Sequence, residues 1–475
     1  MKKNIYATVF ISISCVLFLF FAIGLFKNPY GPQRLIFAWG LNDFFADFFN
    51  ELHYVAERDP YFNLRHGAGA KSYFPLTYLI LYPFSQLDDF ATMSLQEAWN
   101  SKIGLMSVFL YSFFNVSLLL IALKRIAKKY LVSSLLLIGL VLSYIFFISI
   151  ERGNIVILSA ACIGFFICDY DSKNKYKRMF AVISLAVAAT LKVYPVLFSF
   201  LYFEKKQYRE ILLSAIITLL LVFLPFLFFK RGFANVPKLL SNTGLIGNIK
   251  LVSNIGLKET PQLVSNIDST NIQQQINNID LVSAPNLPKI LAFFYPSATH
   301  FTSSYPCFKV AHLIYFILCQ FKFSENLEYN EMIVLSLSNI ALIVTYFVCF
   351  VSIVFSCLIK NKWLKISLLT MGFIFLPTDS GLYCGLYIFP MIIIFFGTLK
   401  ERSTIFNIFT VIVFLVFLNP YQIIINNTLV TYLTSYNYIF INAALVTFWL
   451  VLLVYSGRHI FTSFKKQPID SGAIT

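Results

Sequence analysis

Charged residues are scarce in this sequence. They make up 12% of the 475 residues, about half the share of roughly 25% found in soluble globular domains. Hydrophobic residues make up 58% and aromatic residues 18%, and the mean hydropathy is +0.74. With so little polar surface the chain cannot fold as a water-soluble globule, and its hydrophobicity also excludes intrinsic disorder. The composition therefore predicts an all-α polytopic membrane protein.

The sequence also lacks cysteine pairs, glycine-rich loops and metal-binding clusters. Six of the eight cysteines lie in apolar runs and no CxxC pair occurs, which excludes a disulfide-rich secreted fold. The sequence contains no glycine-rich phosphate loop and no cluster of His, Cys and carboxylate residues typical of a tightly bound metal. We therefore expect neither a metal nor a cofactor. The net charge of +15 would suggest nucleic acid for a soluble protein, but its distribution here indicates a lipid bilayer and no nucleic-acid partner.

Ten apolar runs are candidates for membrane passes. The first follows two lysines and resembles a signal peptide, but no small-residue cleavage site is evident, so we interpret it as an uncleaved first helix. The runs cover residues 5–26, 103–123, 131–150, 154–168, 179–203, 211–229, 333–359, 366–397, 404–419 and 438–456.

Basic residues are concentrated in the short segments next to these runs. Because short cytoplasmic loops are rich in Lys and Arg, this asymmetry predicts the orientation of the chain. The short segments contain 21 basic residues, whereas the two long polar segments, 27–102 and 230–331, contain 14 basic and 14 acidic residues together. We therefore place the short segments and both termini in the cytoplasm. The long segments lie on the non-cytoplasmic side of a plasma or inner membrane.

Two of the apolar runs are interrupted by residues that do not suit a continuous helix. The run 179–203 contains Lys-Val-Tyr-Pro at 192–195 and has basic clusters on both sides, and the run 366–397 contains Pro-Thr-Asp-Ser-Gly at 377–381. Each run divides into two half-length passes that meet near the outer face, which gives about twelve passes. Broken helices are tolerated where protein or a water-filled cavity satisfies the backbone, so both interruptions predict a cavity on the outer side.

These features divide the chain into three parts. Residues 1–229 are predicted to form an N-terminal transmembrane catalytic module that includes a first outer loop, 27–102. Residues 230–332 form a second outer loop, in which 310–321 are predicted as an interfacial helix with Tyr and Phe anchors. Residues 333–475 form a C-terminal transmembrane module.

The first outer loop contains the candidate general base. Asp43 and Asp47 are four residues apart, so in a helix they share one face, and they lie among aromatic residues. A partly desolvated carboxylate can act as a general base because burial raises its pKa toward the working pH. Both carboxylates could equally be solvated or cap a short helix, and the spacing does not choose between them.

Charges beside the broken runs are the second candidate feature. Lys192 is the single charge in the run 179–203, and a central Lys in a membrane helix costs roughly 2.5–3.5 kcal/mol on insertion scales. Arg152 lies in a Glu-Arg-Gly-Asn turn, where a cation can bind a phosphate, and Asp379 lies at the second interruption. Snorkelling and local ion pairing would also explain such residues. Their predicted position on one side of the membrane favours a functional site.

Three blocks of this sequence share the pattern of one enzyme family. They are Asp43 with Pro60-Tyr61 and Tyr73-Phe74-Pro75; Arg152-Gly153-Asn154 with the Ala-Ala-Thr-Leu-Lys-Val-Tyr-Pro stretch at 188–195; and, more weakly, Pro377 through Pro390. These blocks resemble glycosyltransferase family 87, a branch of the GT-C membrane glycosyltransferases that includes polyprenyl-phosphate-mannose-dependent mannosyltransferases. The middle block is the most specific, since it follows the family's Gly-Asn and Ala-Leu-Lys-x-Tyr-Pro pattern. The resemblance covers most of residues 40–210.

The resemblance implies a GT-C fold and an inverting single displacement on the non-cytoplasmic face. The donor is a polyprenyl-phosphate sugar, most commonly mannose in the family, and the acceptor is a lipid, a glycan or a protein. Asp43 takes the proton of the acceptor hydroxyl, with Asp47 as the other candidate, and cations stabilise the leaving lipid phosphate. The candidate cations are Lys192, Arg152, Arg58 and His300. The cavity is expected to be lined by Tyr61, Tyr73, Asn154, Tyr194, Asp379 and Tyr383.

Two alternatives keep the membrane topology without this reaction. A transporter or flippase of lipid-linked saccharides would also contain broken helices and intramembrane charges, but we find no inverted repeat between the two halves. A polymerase of such saccharides would be expected to carry paired arginines in its large outer loop, and residues 230–331 contain only Arg231. The transferase is therefore the leading hypothesis.

Overall fold

The computed structural model describes residues 2–27, 45–62, 73–242, 327–376, 381–418 and 429–465. Within these ranges the chain is helical and contains no β-strand. The α-helices are α1 (Lys2–Lys27), α2 (Ala46–Val55), α3 (Pro75–Ser85), α4 (Leu95–Asn100), α5 (Lys102–Lys129), α6 (Leu136–Val141), α7 (Tyr144–Glu151), α8 (Val156–Asp169), α9 (Lys175–Leu191), α10 (Phe200–Glu204), α11 (Tyr208–Phe223), α12 (Asn235–Asn242), α13 (Leu327–Leu358), α14 (Lys362–Phe375), α15 (Ile388–Gly397), α16 (Thr404–Leu418) and α17 (Leu429–Lys465). Short 3-10 segments lie at Tyr194–Ser199, Leu224–Phe228, Gly232–Ala234, Leu382–Tyr387 and Leu399–Glu401.

Several of these helices have the length and composition of membrane spans. Three of them, Lys102–Lys129, Tyr208–Phe228 and Ile441–Thr462, are long and apolar enough to cross a bilayer, and shorter apolar helices accompany them. Their outward surfaces carry large exposed apolar side chains, such as Phe109 and Phe113 on α5, which suit contact with lipid. The chain is therefore an all-helical membrane protein, while the count of twelve passes stays a prediction.

Both predicted interruptions occur in the structure. Helix α9 ends at Leu191, Lys192 adopts an extended conformation, and a 3-10 segment begins at Tyr194 with Pro195 in its first turn. Proline suits that position because it has no backbone N–H to leave unpaired. The second run divides between α14, which ends at Phe375, and the 3-10 segment that begins at Leu382.

The apolar run 131–150 also contains an interruption, which we did not predict from the sequence. It forms the two short helices α6 and α7, and Ser143 caps the second of them by accepting a hydrogen bond from the backbone N–H of Phe146 (3.3 Å). A Ser at such a position stabilises a new helix start. The mean hydropathy of this run gives no sign of the interruption, because Ser143 is surrounded by strongly apolar residues.

The hydrophobic core joins elements from both ends of the chain. The ring of Phe10 in α1 lies 5.4 Å from that of Phe396 in α15, and Phe375 in α14 stacks on Trp449 in α17 at 5.3 Å. A second core cluster lies around the short helices of the first loop and contains residues such as Phe48. Helices from both sides of the predicted boundaries at residues 229 and 332 contribute to the first of these cores, and the division itself stays a prediction.

An ion-pair cluster lies at the end of the molecule where α5 ends and α14 begins. The carboxylate of Asp171, in the loop after α8, accepts hydrogen bonds from Lys129 and Lys362, both at 2.8 Å. Nearby, Arg125 pairs with Asp169. The cluster connects the first half of the described chain to the second through side-chain contacts. The predicted interfacial helix 310–321 lies outside the described residues.

Candidate functional site

Asp47 lies in the first turn of α2, where the helix dipole favours a carboxylate. The preceding residue, Phe45, has a left-handed backbone (φ 51°), and its N–H donates to the carbonyl of Glu151 at 2.8 Å. This backbone bond fixes the start of α2 against the end of α7. It therefore brings the first loop to the turn that follows α7.

That turn presents two donors to Asp47. Arg152 donates through Nη2 to Oδ1 of Asp47, and Asn154 donates through Nδ2 to Oδ2 at 2.6 Å. Gly153 lies between them with φ +60°, and a Cβ there would lie 2.8 Å from the Cβ of Phe48. Glycine is required because it alone combines this conformation with this close approach. Both oxygens of the Asp47 carboxylate are thus engaged.

Tyr73 extends this network. Its hydroxyl accepts a hydrogen bond from Asn154 Nδ2 at 2.9 Å, and its carbonyl accepts one from the hydroxyl of Tyr61, also at 2.9 Å. Burial, followed by the nearby charge of Asp47, raises the pKa of the Tyr73 hydroxyl well above its usual value. The phenol therefore stays protonated. Among the described residues it has no acceptor for that proton.

Lys192 is a second cation beside this network, in addition to Arg152. It follows the last turn of α9, and its Nζ lies 4.2 Å from the ring centroid of Tyr73 and 6.0 Å from that of Tyr383. Aromatic faces attract a cation at such distances. Within the part of the chain that the structure describes, the ammonium group makes no hydrogen bond or ion pair, although Asp47 and Glu51 lie close enough to act on it electrostatically. A desolvated cation in this state is suited to bind an anion.

Glu51 is a carboxylate of the site that the sequence reasoning missed. It lies one helical turn after Asp47 on α2, is 8% exposed and lies close enough to Tyr78 to act on its hydroxyl electrostatically. The sequence could have indicated Glu51, because it lies four residues after Asp47, and the same spacing led us to group Asp43 with Asp47. The helix begins at Ala46, so among described residues it is the later carboxylate that shares a face with Asp47.

The other predicted site residues divide into three groups. Tyr383 lies beside Lys192, as described, and Tyr194 packs its ring 6.0 Å from that of Phe373. Arg58 lies elsewhere: its Nε donates to the carbonyl of Phe228 at 3.0 Å and its guanidinium covers the ring of that residue at 4.4 Å. Three predicted residues, Asp43, His300 and Asp379, lie outside the described residues.

No group of three or more His, Cys, Asp or Glu side chains suited to a metal ion occurs among the residues that the structure describes. The site there consists of paired carboxylates, cations and phenols. Such groups can bind an anion, hydrogen-bond hydroxyls and hold a carboxylate in a fixed orientation.

An all-helical fold with apolar spans around a cluster of charged and phenolic side chains defines an integral membrane protein with an internal polar site. Residues 72–275 match the family model of glycosyltransferase family 87. The match confirms the predicted resemblance to this GT-C type family over that range, and the family implies a membrane glycosyltransferase. The matched range contains Tyr73, Arg152, Asn154 and Lys192, and it begins after Asp43 and Asp47. No curated protein matches the chain.

Proposed function

We propose that this membrane glycosyltransferase moves a single sugar, mannose in the first instance, from a polyprenyl phosphate to a lipid, glycan or protein acceptor. The observation that carries the proposal is the state of Lys192, a cation packed against Tyr73 and Tyr383 without a hydrogen-bonding partner among described residues. A lipid phosphate supplies the negative charge that this ammonium group lacks. A nucleotide-sugar donor would require a soluble nucleotide-binding domain, for which the sequence has no signature.

The reaction is an inverting single displacement. The acceptor oxygen attacks the anomeric carbon, its proton passes to a carboxylate, and the bond between that carbon and the phosphate oxygen breaks. The electron pair of the broken bond stays on the polyprenyl phosphate. Lys192 stabilises this developing charge, which is the usual role of a cation at a leaving phosphate. The protonated hydroxyl of Tyr73 is available as a second donor to the same group.

We assign the general base to Asp43 and a positioning role to Asp47. Both oxygens of Asp47 already accept hydrogen bonds from Arg152 and Asn154, which hold the carboxylate in a fixed orientation. Asp47 instead fixes Arg152 beside the site. Arg152 is then a second source of positive charge near the phosphate, although it is partly neutralised by its pairing.

The proposed orientation follows the distribution of basic residues. Both termini face the cytoplasm, and the site opens to the non-cytoplasmic side of a plasma or inner membrane. Thiol labelling of single-cysteine variants in intact cells tests this. A cysteine in place of Lys128, at the end of α5, should react only after permeabilisation, and one in place of Asp89, between α3 and α4, should react with an impermeant reagent in intact cells.

The activity itself is tested with purified protein in lipid nanodiscs. A short-chain polyprenyl-phosphate [14C]mannose serves as donor, crude membrane lipids serve as acceptors, and Asp43→Asn is the inactive control. Label that moves to a new product with the wild type and not with the variant supports the proposal, and the product identifies the acceptor. Absence of transfer with several donor sugars, together with saturable binding of polyprenyl phosphate, would favour the flippase instead.

A further inference from the structure

We propose that Tyr387 is a positioning residue for Lys192 and acts through the side chain of Ser159. The consequence of this inference for catalysis rests on the proposed function, which assigns Lys192 to the donor phosphate. Its structural part, the control of the end of α9 by a distant hydroxyl, stands on the geometry alone.

The connection is a continuous chain of hydrogen bonds. The hydroxyl of Tyr387 donates to Oγ of Ser159 at 2.7 Å, and Ser159 Oγ donates to the carbonyl oxygen of Ala188 at 3.2 Å. That carbonyl also accepts the backbone N–H of Lys192 at 3.0 Å. The carbonyl of Ala188 therefore receives two donors, one from the backbone that carries Lys192 and one from the chain that begins at Tyr387.

The carbonyl of Ala188 lies at a sensitive point of the fold. It accepts the last helical hydrogen bond of α9, directly before Lys192 turns to an extended conformation. Hydrogen bonds at a helix end fray easily, because the neighbouring groups have no intrahelical partners. A second donor fixes the orientation of this carbonyl and with it the direction in which the chain leaves the helix. Lys192 is the first residue after the helix, so the direction of its side chain depends on how the chain leaves α9.

The chain also connects the two broken runs. Tyr387 ends the 3-10 segment of the second interruption, whereas Lys192 lies at the first, and Ser159 on α8 lies between them. Ser159 is fully buried. The side chain of Asn154, which donates to Asp47, accepts a hydrogen bond from the N–H of Val156 (2.9 Å), the first residue of α8.

The hydroxyl of Tyr387 can be tested separately from its ring. The ring packs edge-on against Phe373, with 4.3 Å between centroids, so Tyr387→Phe keeps this contact and removes only the donor. Tyr202 offers a matched control. It is equally buried, it lies in α10 after the first interruption, where Lys192 lies, and its hydroxyl has no partner among described residues. Tyr202→Phe therefore removes a buried hydroxyl without breaking a hydrogen bond.

The first measurement is hydrogen–deuterium exchange of the protein in nanodiscs, followed by mass spectrometry of peptides that cover residues 188–196. We expect Tyr387→Phe and Ser159→Ala each to accelerate exchange at the end of α9 by about 3- to 10-fold, the effect of losing one buried hydrogen bond. Tyr202→Phe should leave exchange there unchanged. Equal exchange in the wild type and Tyr387→Phe would overturn the inference.

The second measurement is transfer kinetics in a double-mutant cycle. Tyr387→Phe should raise KM for the polyprenyl-phosphate sugar by about 3- to 10-fold with little change in KM for the acceptor, and it should have no further effect in a Lys192→Met background. Additive effects of the two substitutions would overturn the positioning role. If the wild type transfers no sugar from any lipid-linked donor, the proposed function fails, and the exchange result still decides whether Tyr387 controls the end of α9.

Discussion

The ammonium group of Lys192 lies 4.2 Å from the ring centroid of Tyr73, whose hydroxyl is bound to the Asn154 amide that also holds Asp47. The Tyr73 ring and the Asn154 amide thus connect the cation to the carboxylate. Lys192 and Asp47 form no ion pair, because the carboxylate oxygens of Asp47 accept hydrogen bonds from Arg152 and Asn154. The site therefore retains a cation for an anion and a carboxylate for positioning within one buried cluster.

Removal of the Lys192 charge should weaken donor binding. Lys192→Met keeps the length and apolar stem of the side chain, and we expect KM for the lipid-linked donor to rise by about 10- to 100-fold, the value of a charge-assisted hydrogen bond. Lys124→Met, an exposed lysine near the end of α5, is the matched control and should leave KM unchanged. Normal donor kinetics in Lys192→Met would mean that Lys192 does not bind the donor and only extends its charge toward the membrane surface.

The two aspartates should differ in the size of their effects. Asp43→Asn removes the proposed base, and general-base catalysis is worth about 10²- to 10⁴-fold, so transfer should fall by that factor while donor binding persists. Asp47→Asn should reduce transfer by about 10-fold, because Arg152 loses its charged partner. Single-turnover rates in nanodiscs measure both. A larger loss for Asp47→Asn would mean that the general base is Asp47 and not Asp43.

Gly153 should tolerate alanine less well than Gly232 does. Both residues have positive φ, so an added Cβ costs each about 1–2 kcal/mol of backbone strain. A Cβ at Gly153 also meets Phe48 at 2.8 Å, whereas one at Gly232 meets nothing within 4 Å, and overpacking adds about 1–3 kcal/mol. Thermal unfolding in detergent should show the larger loss for Gly153→Ala. Equal losses would mean that α2 does not pack on this turn.

Arg58 should affect stability and not the donor. Its guanidinium bonds to the carbonyl of Phe228 and covers that ring, so it connects the first loop to the 3-10 segment after α11. Arg58→Ala should lower the free energy of unfolding by about 1–3 kcal/mol and leave KM for the lipid-linked donor unchanged. An increase in that KM comparable to the one in Lys192→Met would instead support the predicted role of Arg58 as a phosphate-binding residue.

The Asp171 cluster should make stability depend on pH. Burial alone would raise the pKa of the Asp171 carboxyl, but the charge of Lys362 and hydrogen bonds from Lys129 and Lys362 outweigh burial and lower the pKa. Because the folded-state pKa lies below the unfolded one, the ionised carboxylate stabilises the fold above pH of about 4, the ordinary pKa of Asp. This contribution is lost as the pH falls through the folded-state pKa.

The variant that checks this is Asp171→Asn. Its melting temperature should lie below that of the wild type between pH 5 and 7 by a constant amount, and the difference should shrink below pH of about 4. Asp89→Asn, at an exposed loop position, should show no such difference at any pH. A difference for Asp171→Asn that persists undiminished at pH of about 3 would mean that the ionised carboxylate is not the stabilising species.

The sequence allowed the prediction of features that depend on local chemistry. The break at Lys192 follows from Pro195 and from basic clusters on both sides of one run, and the Gly153 turn follows from a charged four-residue segment between two apolar runs. Both are consequences of backbone geometry and of the cost of charge in lipid. The pattern around Lys192 also carried the family resemblance.

Features that depend on contacts between distant segments could not be predicted in this way. Whether Asp47 pairs in space with Asp43 or with Glu51 depends on where α2 begins, and that start is fixed by a hydrogen bond from Phe45 to the carbonyl of Glu151. The bond between Tyr387 and Ser159 joins positions 228 residues apart. Periodicity and composition hold no information about such pairs without an independent observation of the contact.

The contact of Phe10 with Phe396 has a consequence for the biogenesis of the protein. Helix α1 is made before every other described helix, yet its neighbours include α15 and α16, which begin more than 350 residues after α1 ends. Until these helices are made, the Phe10 side of α1 must remain in lipid or against an insertion factor. Docking of α1 is thus one of the last events of assembly, and a chain that stops before α15 cannot complete its core.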